Sequence, residues 1–346
     1  MSNFLYGLDN SNRNFKLKES WGKNQFNSSF PAALCCYFYK KKISPNYIII
    51  KNKKINISTI KVENLLGENP KDIYFAFESI FEDYKHLVKD TLPRNDLVIK
   101  DFKTKKSIKS LEIKLTALPD ETTFNEKDKN YGCEIVVRPD TIVYLVCSII
   151  KNCQLSEEKI KELKTMENIS WTNTNEVLGN FPKILKILNE ISISKNFSND
   201  PLILQPIWKT KGKSPILSEN CLDIFVWSSS AFLNFITKIS ISKNYSNINR
   251  PMRTAIWIFK MILDYQKFGK FDYKKIFDQL SYNTRNDKAF ASAGKITNKY
   301  MKCKNLTKPR INKNEIKKII LNNAQKMLSP ERRFDAVIFN DKDLFV

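Results

Sequence analysis

A chain of 346 residues with 42% apolar and 12% aromatic side chains can bury a sizeable core, which excludes disorder on a large scale. The 58 Lys+Arg against 36 Asp+Glu leave a net charge of +22, which favours a polyanionic partner, although 49 of the basic residues are lysines, a bias that an AT-rich genome also produces. With one histidine, His86, the chain has no second imidazole for an HNH- or phospholipase-D-type site, so hydrolytic chemistry has to rest on carboxylates, lysine and a metal ion.

In chain order, Ala32 to Tyr39 reads as a buried helix opened by Pro31, and Tyr47 to Lys51 and Lys54 to Ile60 as two strands around a polar turn. From Lys71 to Asp90 the residues Ile73, Phe77, Ile80, Phe81, Tyr84, Leu87 and Val88 recur at steps of three and four, which predicts an amphipathic helix that Pro93 follows. Leu97 to Ile99 is a short β-branched strand, Lys103 to Lys106 a charged turn, and Ile108 to Leu115 an alternating, half-buried strand. Glu134 to Arg138 suits another strand, and Pro139-Asp140 the start of a helix carrying Tyr144 to Ile150. Helices are expected at Ser156 to Met166, Pro182 to Ile191, Arg253 to Phe268 and near Lys313 to Met327, and strands at Leu202 to Trp208, Leu222 to Trp227 and Ala336 to Phe339.

These elements, without a Gly-rich phosphate loop, imply an α/β fold: a mixed central sheet flanked by helices, with helical additions. No repeat divides the chain, so a single domain over residues 1–346 is expected, with a catalytic helix-hairpin core at about residues 71–150. The seven cysteines form no CxxC pair and no zinc spacing, and read as reduced thiols. The N-terminus lacks a signal-peptide pattern, and the most apolar run, Thr141 to Ile150, is about half the ~20 residues of a membrane span, so a cytoplasmic protein is expected.

Phosphodiester hydrolysis needs a cation that polarises the phosphate and a group that stabilises developing charge, and hard cations such as Mg²⁺ favour carboxylate oxygens. In the PD-(D/E)xK arrangement one acid opens a strand, a second lies on the neighbouring strand, and a lysine two residues on shares its face. Glu112-Ile113-Lys114 fits that spacing on the alternating strand. Other matches, such as Glu157-Glu158-Lys159, Glu162-Leu163-Lys164 and Glu315-Ile316-Lys317, lie in predicted helices, where residues two apart diverge. Asp96, directly before the Leu97 to Ile99 strand, is the first acid, with Asp101 as its competitor. The plainer reading of the trio is an exposed hairpin with ordinary surface charges. Glu78 and Glu82, one turn apart on the predicted helix, are candidate third acids, although a solvated helix face explains them as well.

The run Ser110-Leu111-Glu112-Ile113-Lys114-Leu115-Thr116-Ala117-Leu118-Pro119-Asp120-Glu121-Thr122-Thr123 resembles the signature of the HindVP family of type II restriction endonucleases. The resemblance extends through Trp21 to Pro31, Gln205 to Ser214, Asp223 to Ser228, Arg250 to Thr254, Asn286 to Ala291 and Leu328 to Asp335, and so covers almost the whole chain. It implies a homodimeric, magnesium-dependent enzyme that cuts both strands of double-stranded DNA at a short palindrome, GRCGYC in several relatives, and that works beside a DNA methyltransferase. On that reading Asp96 and Glu112 hold Mg²⁺ with the backbone carbonyl of Ile113, and Lys114 orients the attacking water or stabilises the phosphate. Arg250, Arg253, Arg285, Arg332 and Arg333, with Lys209, Lys211 and Lys213, are candidate DNA contacts, each more naturally to phosphate than to a base edge. Trp208, Trp227 and Trp257 lie in apolar patterns and read as core. A structure-specific repair or junction nuclease of the same fold, or a basic nucleic-acid-binding protein without catalysis, would satisfy the charge equally.

Overall fold

The computed structural model describes residues 7–9, 42, 44–66, 72–114, 135–208, 222–242, 244–292 and 295–301. The elements expected at Ala32 to Tyr39, Lys313 to Met327 and Ala336 to Phe339 lie outside them.

The strands are β1 (Gly7–Asp9), β2 (Asn46–Lys51), β3 (Lys54–Thr59), β4 (Ile73–Ser79), β5 (Asn95–Asp101), β6 (Ser107–Ile113), β7 (Ile135–Val137), β8 (Pro201–Trp208), β9 (Leu222–Ser228) and β10 (Phe290–Ser292). Eight of them form one mixed sheet in the order β1-β4-β5-β6-β8-β9-β2-β3, while β7 and β10 pair separately. The joint between β6 and β8 is parallel; the hairpin β5–β6 and the pair β8–β9 are antiparallel.

The helices are α1 (Val62–Leu66), α2 (Pro139–Asn152), α3 (Glu157–Lys164), α4 (Thr174–Ser192), α5 (Ser229–Ile239), α6 (Arg250–Phe268), α7 (Tyr273–Gln279) and α8 (Lys295–Met301). In α2 every residue from Thr141 to Ile149 is buried, as expected of a helix enclosed on all sides. Its Val143, Val146 and Cys147 share one core with Phe181 and Ile184 of α4, Phe232 and Phe235 of α5, and Ile256 and Trp257 of α6. The sheet face carrying Ile48, Ala76, Val98, Ile203, Phe225 and Trp227 closes that core. Helix starts are capped by side chains: Asn173 accepts from the N–H groups of Asn175 and Glu176, Ser228 from Ala231, and Asn249 from Met252.

Three expectations change. The segment expected as one helix from Lys71 to Asp90 is strand β4 followed by a 3₁₀ turn over Glu82–Leu87. Ile73, Tyr74, Phe75 and Ala76 are all buried, so β4 is covered on both faces, and a fully buried strand offers a continuous apolar run that also satisfies helical spacing. The helix expected from Pro182 begins eight residues earlier at Thr174, where Asn173 caps it, and carries Pro182 in its interior. Helix α5 had no counterpart in the reading of the sequence. Trp227 and Trp257 are wholly buried, as expected, and His86 is exposed.

Candidate active site

The hairpin β5–β6 fixes the site. Leu97 faces Leu111 across the antiparallel pair, so the next residues toward the open end, Asp96 and Glu112, face one another, and antiparallel partners project to the same side of the sheet. Lys114, two residues beyond Glu112, returns to that side. The three expected residues therefore converge. The Lys114 ammonium bonds Glu112 Oε1, and both side chains are more than nine-tenths buried. Asp96 Oδ2 accepts the Ile113 backbone N–H at 2.9 Å, which fixes its carboxyl against β6.

Helix α2 closes the site from above. Its third residue, Thr141, is fully buried and donates its hydroxyl to Glu112 Oε1 at 3.1 Å. One turn on, the Tyr144 hydroxyl donates to the Pro93 carbonyl at 2.9 Å and accepts from the Phe81 N–H at 3.2 Å. That side chain thus ties the exit from β4 to the entry of β5, two and three residues before Asn95 and Asp96. Asp140, in the first turn of α2, lies within electrostatic reach of Glu112.

The electrostatics are those of a site with too many acids for its one ammonium. Burial, then the neighbouring Glu112 charge, push the Asp96 carboxyl up to about 7, against the pull of Lys114 and the Ile113 N–H. Asp96 keeps a solvent-facing edge despite the protein packed around it. Asp140 is raised by the same two causes, burial first and Glu112 second, while Lys114 and Arg138 oppose the shift. A carboxylate whose neighbours resist its ionisation gains when a cation enters, and this donor set of hard oxygens suits Mg²⁺.

The other expected site residues separate clearly. Asp101 sits at the far end of β5, roughly 17 Å along the strand from Asp96 at about 3.4 Å per residue. There it caps the turn, its Oδ1 accepting from the Lys103 N–H at 3.0 Å, the Thr104 N–H at 2.6 Å and the Thr104 hydroxyl at 2.8 Å. Those bonds hold its carboxyl below the usual range, with Thr104 the main cause. Glu78 and Glu82 do not share a helix face: position 78 lies in β4, in register opposite position 96, and Glu82 is exposed on the 3₁₀ turn.

Of the candidate DNA contacts, Lys209, Lys211, Lys213, Arg332 and Arg333 lie outside the described residues. Arg285 is exposed, and Arg250 is half-buried 3.7 Å from Asp287. Arg253 cannot serve as a surface contact, because helical spacing turns it inward with Ile256 and Trp257 and no part of it reaches solvent. Its guanidinium lies over the Trp257 ring and donates to the carbonyls of Thr284 at 3.0 Å, Arg285 at 2.9 Å and Lys288 at 2.8 Å. Burial lowers its pKa to about 10, which leaves it charged at neutral pH. Arg253 shapes the loop that presents Arg285.

Asp140 and Thr141 were not singled out in the sequence, where they read only as a helix start. The Thr141 bond to Glu112, and the Glu112 charge felt at Asp140, depend on how α2 packs.

A family model described as HindVP restriction endonuclease matches residues 21–345. The chain belongs to the HindVP restriction endonuclease family. It is 46% identical over 345 residues to a "Probable type II restriction enzyme HindVP" of Haemophilus influenzae, covering 99% of this chain and 94% of that one. It is 42% identical over 348 residues to a "Type II restriction enzyme HgiDI" of Herpetosiphon aurantiacus, covering 99% and 96%. No solved structure matches. Membership of the HindVP family makes the chain a type II restriction endonuclease, and the mixed sheet flanked by helices agrees with the fold expected of one. No helix among the described residues is long and apolar enough to cross a membrane.

Proposed function

We propose that this HindVP-family enzyme cleaves both strands of double-stranded DNA in a magnesium-dependent, sequence-specific reaction at a PD-(D/E)xK site formed by Asp96, Glu112 and Lys114. The observation that carries the reading is the convergence of two carboxylates and an ammonium on one edge of the β5–β6 hairpin, in a chain whose family is restriction endonucleases.

Asp96 and Glu112 would hold the cation, with the Ile113 carbonyl as a further oxygen and Asp140 near enough in charge to support it. A bound Mg²⁺ polarises the scissile phosphate and lowers the pKa of the attacking water. The chain's own contribution is geometric and electrostatic. Thr141 and the Ile113 N–H keep Glu112 and Asp96 oriented, and Lys114, released from Glu112, presents its charge to the phosphoryl oxygens as negative charge builds. Arg285, exposed on its loop, is a candidate contact to the DNA backbone. The target is a short palindrome of the GRCGYC type, read by a homodimer whose two-fold axis matches that of the site, and a cognate methyltransferase protects host DNA.

Digestion of a sequenced plasmid with and without Mg²⁺ tests this. Discrete fragments that need Mg²⁺ and share one sequence at their ends are expected. Structure-dependent nicking, or no loss of supercoiled DNA, overturns it.

A further inference from the structure

Among the described residues, Gln205 is fully buried, and neither its amide oxygen nor its amide nitrogen has a hydrogen-bond partner. Such a group is destabilising unless something else engages it. Its position shows what could. Strands β6 and β8 run parallel with Glu112 facing Ile203 and Ile113 facing Leu204. The same alternation carries one step further, since Lys114 is two residues on from Glu112 and Gln205 two on from Ile203, while the Lys114 N–H donates to the Leu204 carbonyl at 2.9 Å and keeps the two strands together there. Ladder partners project to the same face, so Gln205 shares the face of Glu112 and Lys114.

The Lys114 ammonium bonds Glu112 Oε1, the same oxygen that accepts from Thr141. A cation that takes up Glu112 deprives the ammonium of that acceptor in a buried place. We propose that Gln205 is a positioning residue for Lys114: its amide oxygen receives the ammonium when Glu112 turns to a cation, and holds it beside the reacting phosphate. This inference rests on the reading of Asp96, Glu112 and Lys114 given above.

The test is a double-mutant cycle on the full-length protein with Mg²⁺ alone as ligand, read by isothermal titration. Gln205→Met keeps length and removes both orphaned polar atoms, so the fold should be retained or stabilised; Gln205→Leu is the second variant. Either substitution should weaken Mg²⁺ binding about tenfold, the size of one hydrogen bond to a charged group. Single-turnover cleavage should slow by at least as much, with DNA affinity in EDTA unchanged. In a Lys114→Met background the same substitutions should leave Mg²⁺ affinity unaltered, since no ammonium has to be rehoused. Equal weakening in both backgrounds, or none in either, overturns the proposal. A wild-type protein that binds no Mg²⁺ overturns the metal reading before any variant is made, and this inference with it.

Discussion

Replacing Asp96 with Asn removes a charge that the fold resists, and should stabilise the protein while destroying its activity. Burial and the Glu112 carboxylate raise the Asp96 pKa from 3.8 to about 7. A carboxyl with a raised folded-state pKa is harmless below its unfolded value and destabilising as pH climbs to the folded one. The penalty is therefore absent below about pH 4, grows between pH 4 and 7, and is complete above pH 7. At 1.36 kcal/mol per tenfold change in proton affinity the ceiling is on the order of 4 kcal/mol. Solvent contact along its open edge and a charge shared with Glu112 reduce this to roughly 2 kcal/mol. For 346 residues, an unfolding entropy of about 2.1 cal/mol/K per residue converts that into a rise in Tm of about 3 °C. Thermal unfolding of wild type and Asp96→Asn in EDTA at pH 8 and pH 5.5 is the assay. The gain should be full at pH 8 and about half at pH 5.5, and Mg²⁺ should stabilise the wild type far more than the variant. A variant less stable than wild type at pH 8, or a gain that ignores pH, would refute the picture of a carboxylate held against its neighbours.

Lys114→Ala should abolish cleavage yet leave DNA affinity within about threefold when measured by gel shift in Ca²⁺, because it removes transition-state rather than ground-state binding; a large loss of affinity would make Lys114 a DNA anchor instead. Thr141→Val removes one donor to Glu112, an effect of about 1 kcal/mol, so single-turnover cleavage should fall roughly fivefold. A rate within error of wild type would show that the hydroxyl does not orient Glu112. Arg253→Met leaves the Thr284, Arg285 and Lys288 carbonyls without their donor and should lower stability by on the order of 3 kcal/mol, seen as a lower urea midpoint. If it reduced DNA affinity and spared stability, Arg253 would belong to the DNA surface after all.

The hairpin that carries the candidate site was legible because its signals are largely local. Alternation along Ile108 to Leu115 puts Glu112 and Lys114 on one face through the two-residue period of a strand alone, and Asp96, directly before Leu97, joins them once the hairpin sets Leu97 opposite Leu111. The segment before it was not legible. Ile73, Tyr74, Phe75 and Ala76 are buried on both sides of the sheet, and the sequence cannot show that a second layer covers the outer face. Glu78 consequently moved from a helix face to a strand position. Arg253 misled through composition, since Arg250-Pro251-Met252-Arg253 resembles a basic surface patch until the helical period places position 253 beside Ile256 and Trp257. Asp140, Thr141 and Gln205 carry no local signal at all. Thr141 bonds Glu112, and Asp140 feels its charge, only because α2 packs over the hairpin, and Gln205 shares the Glu112 face of the sheet only because β8 lies parallel to β6.

Charge distribution explains why metal and DNA should act together. The chain carries +22 overall, yet the candidate site sets the carboxyl groups of Asp96 and Glu112, with Asp140 in electrostatic reach, against Lys114 and Arg138. A phosphate approaching this site meets carboxylates whose own ionisation is opposed, while the Lys114 ammonium bonds Glu112. On the proposed reading a divalent cation would reverse both conditions, neutralising the acids and freeing the ammonium. Because that change favours the phosphate, linkage requires DNA to tighten the cation by the same factor. On that reading the surface charge would gather DNA of any sequence without cutting it, and chemistry would be confined to complexes in which phosphate and cation arrive at the same carboxylates.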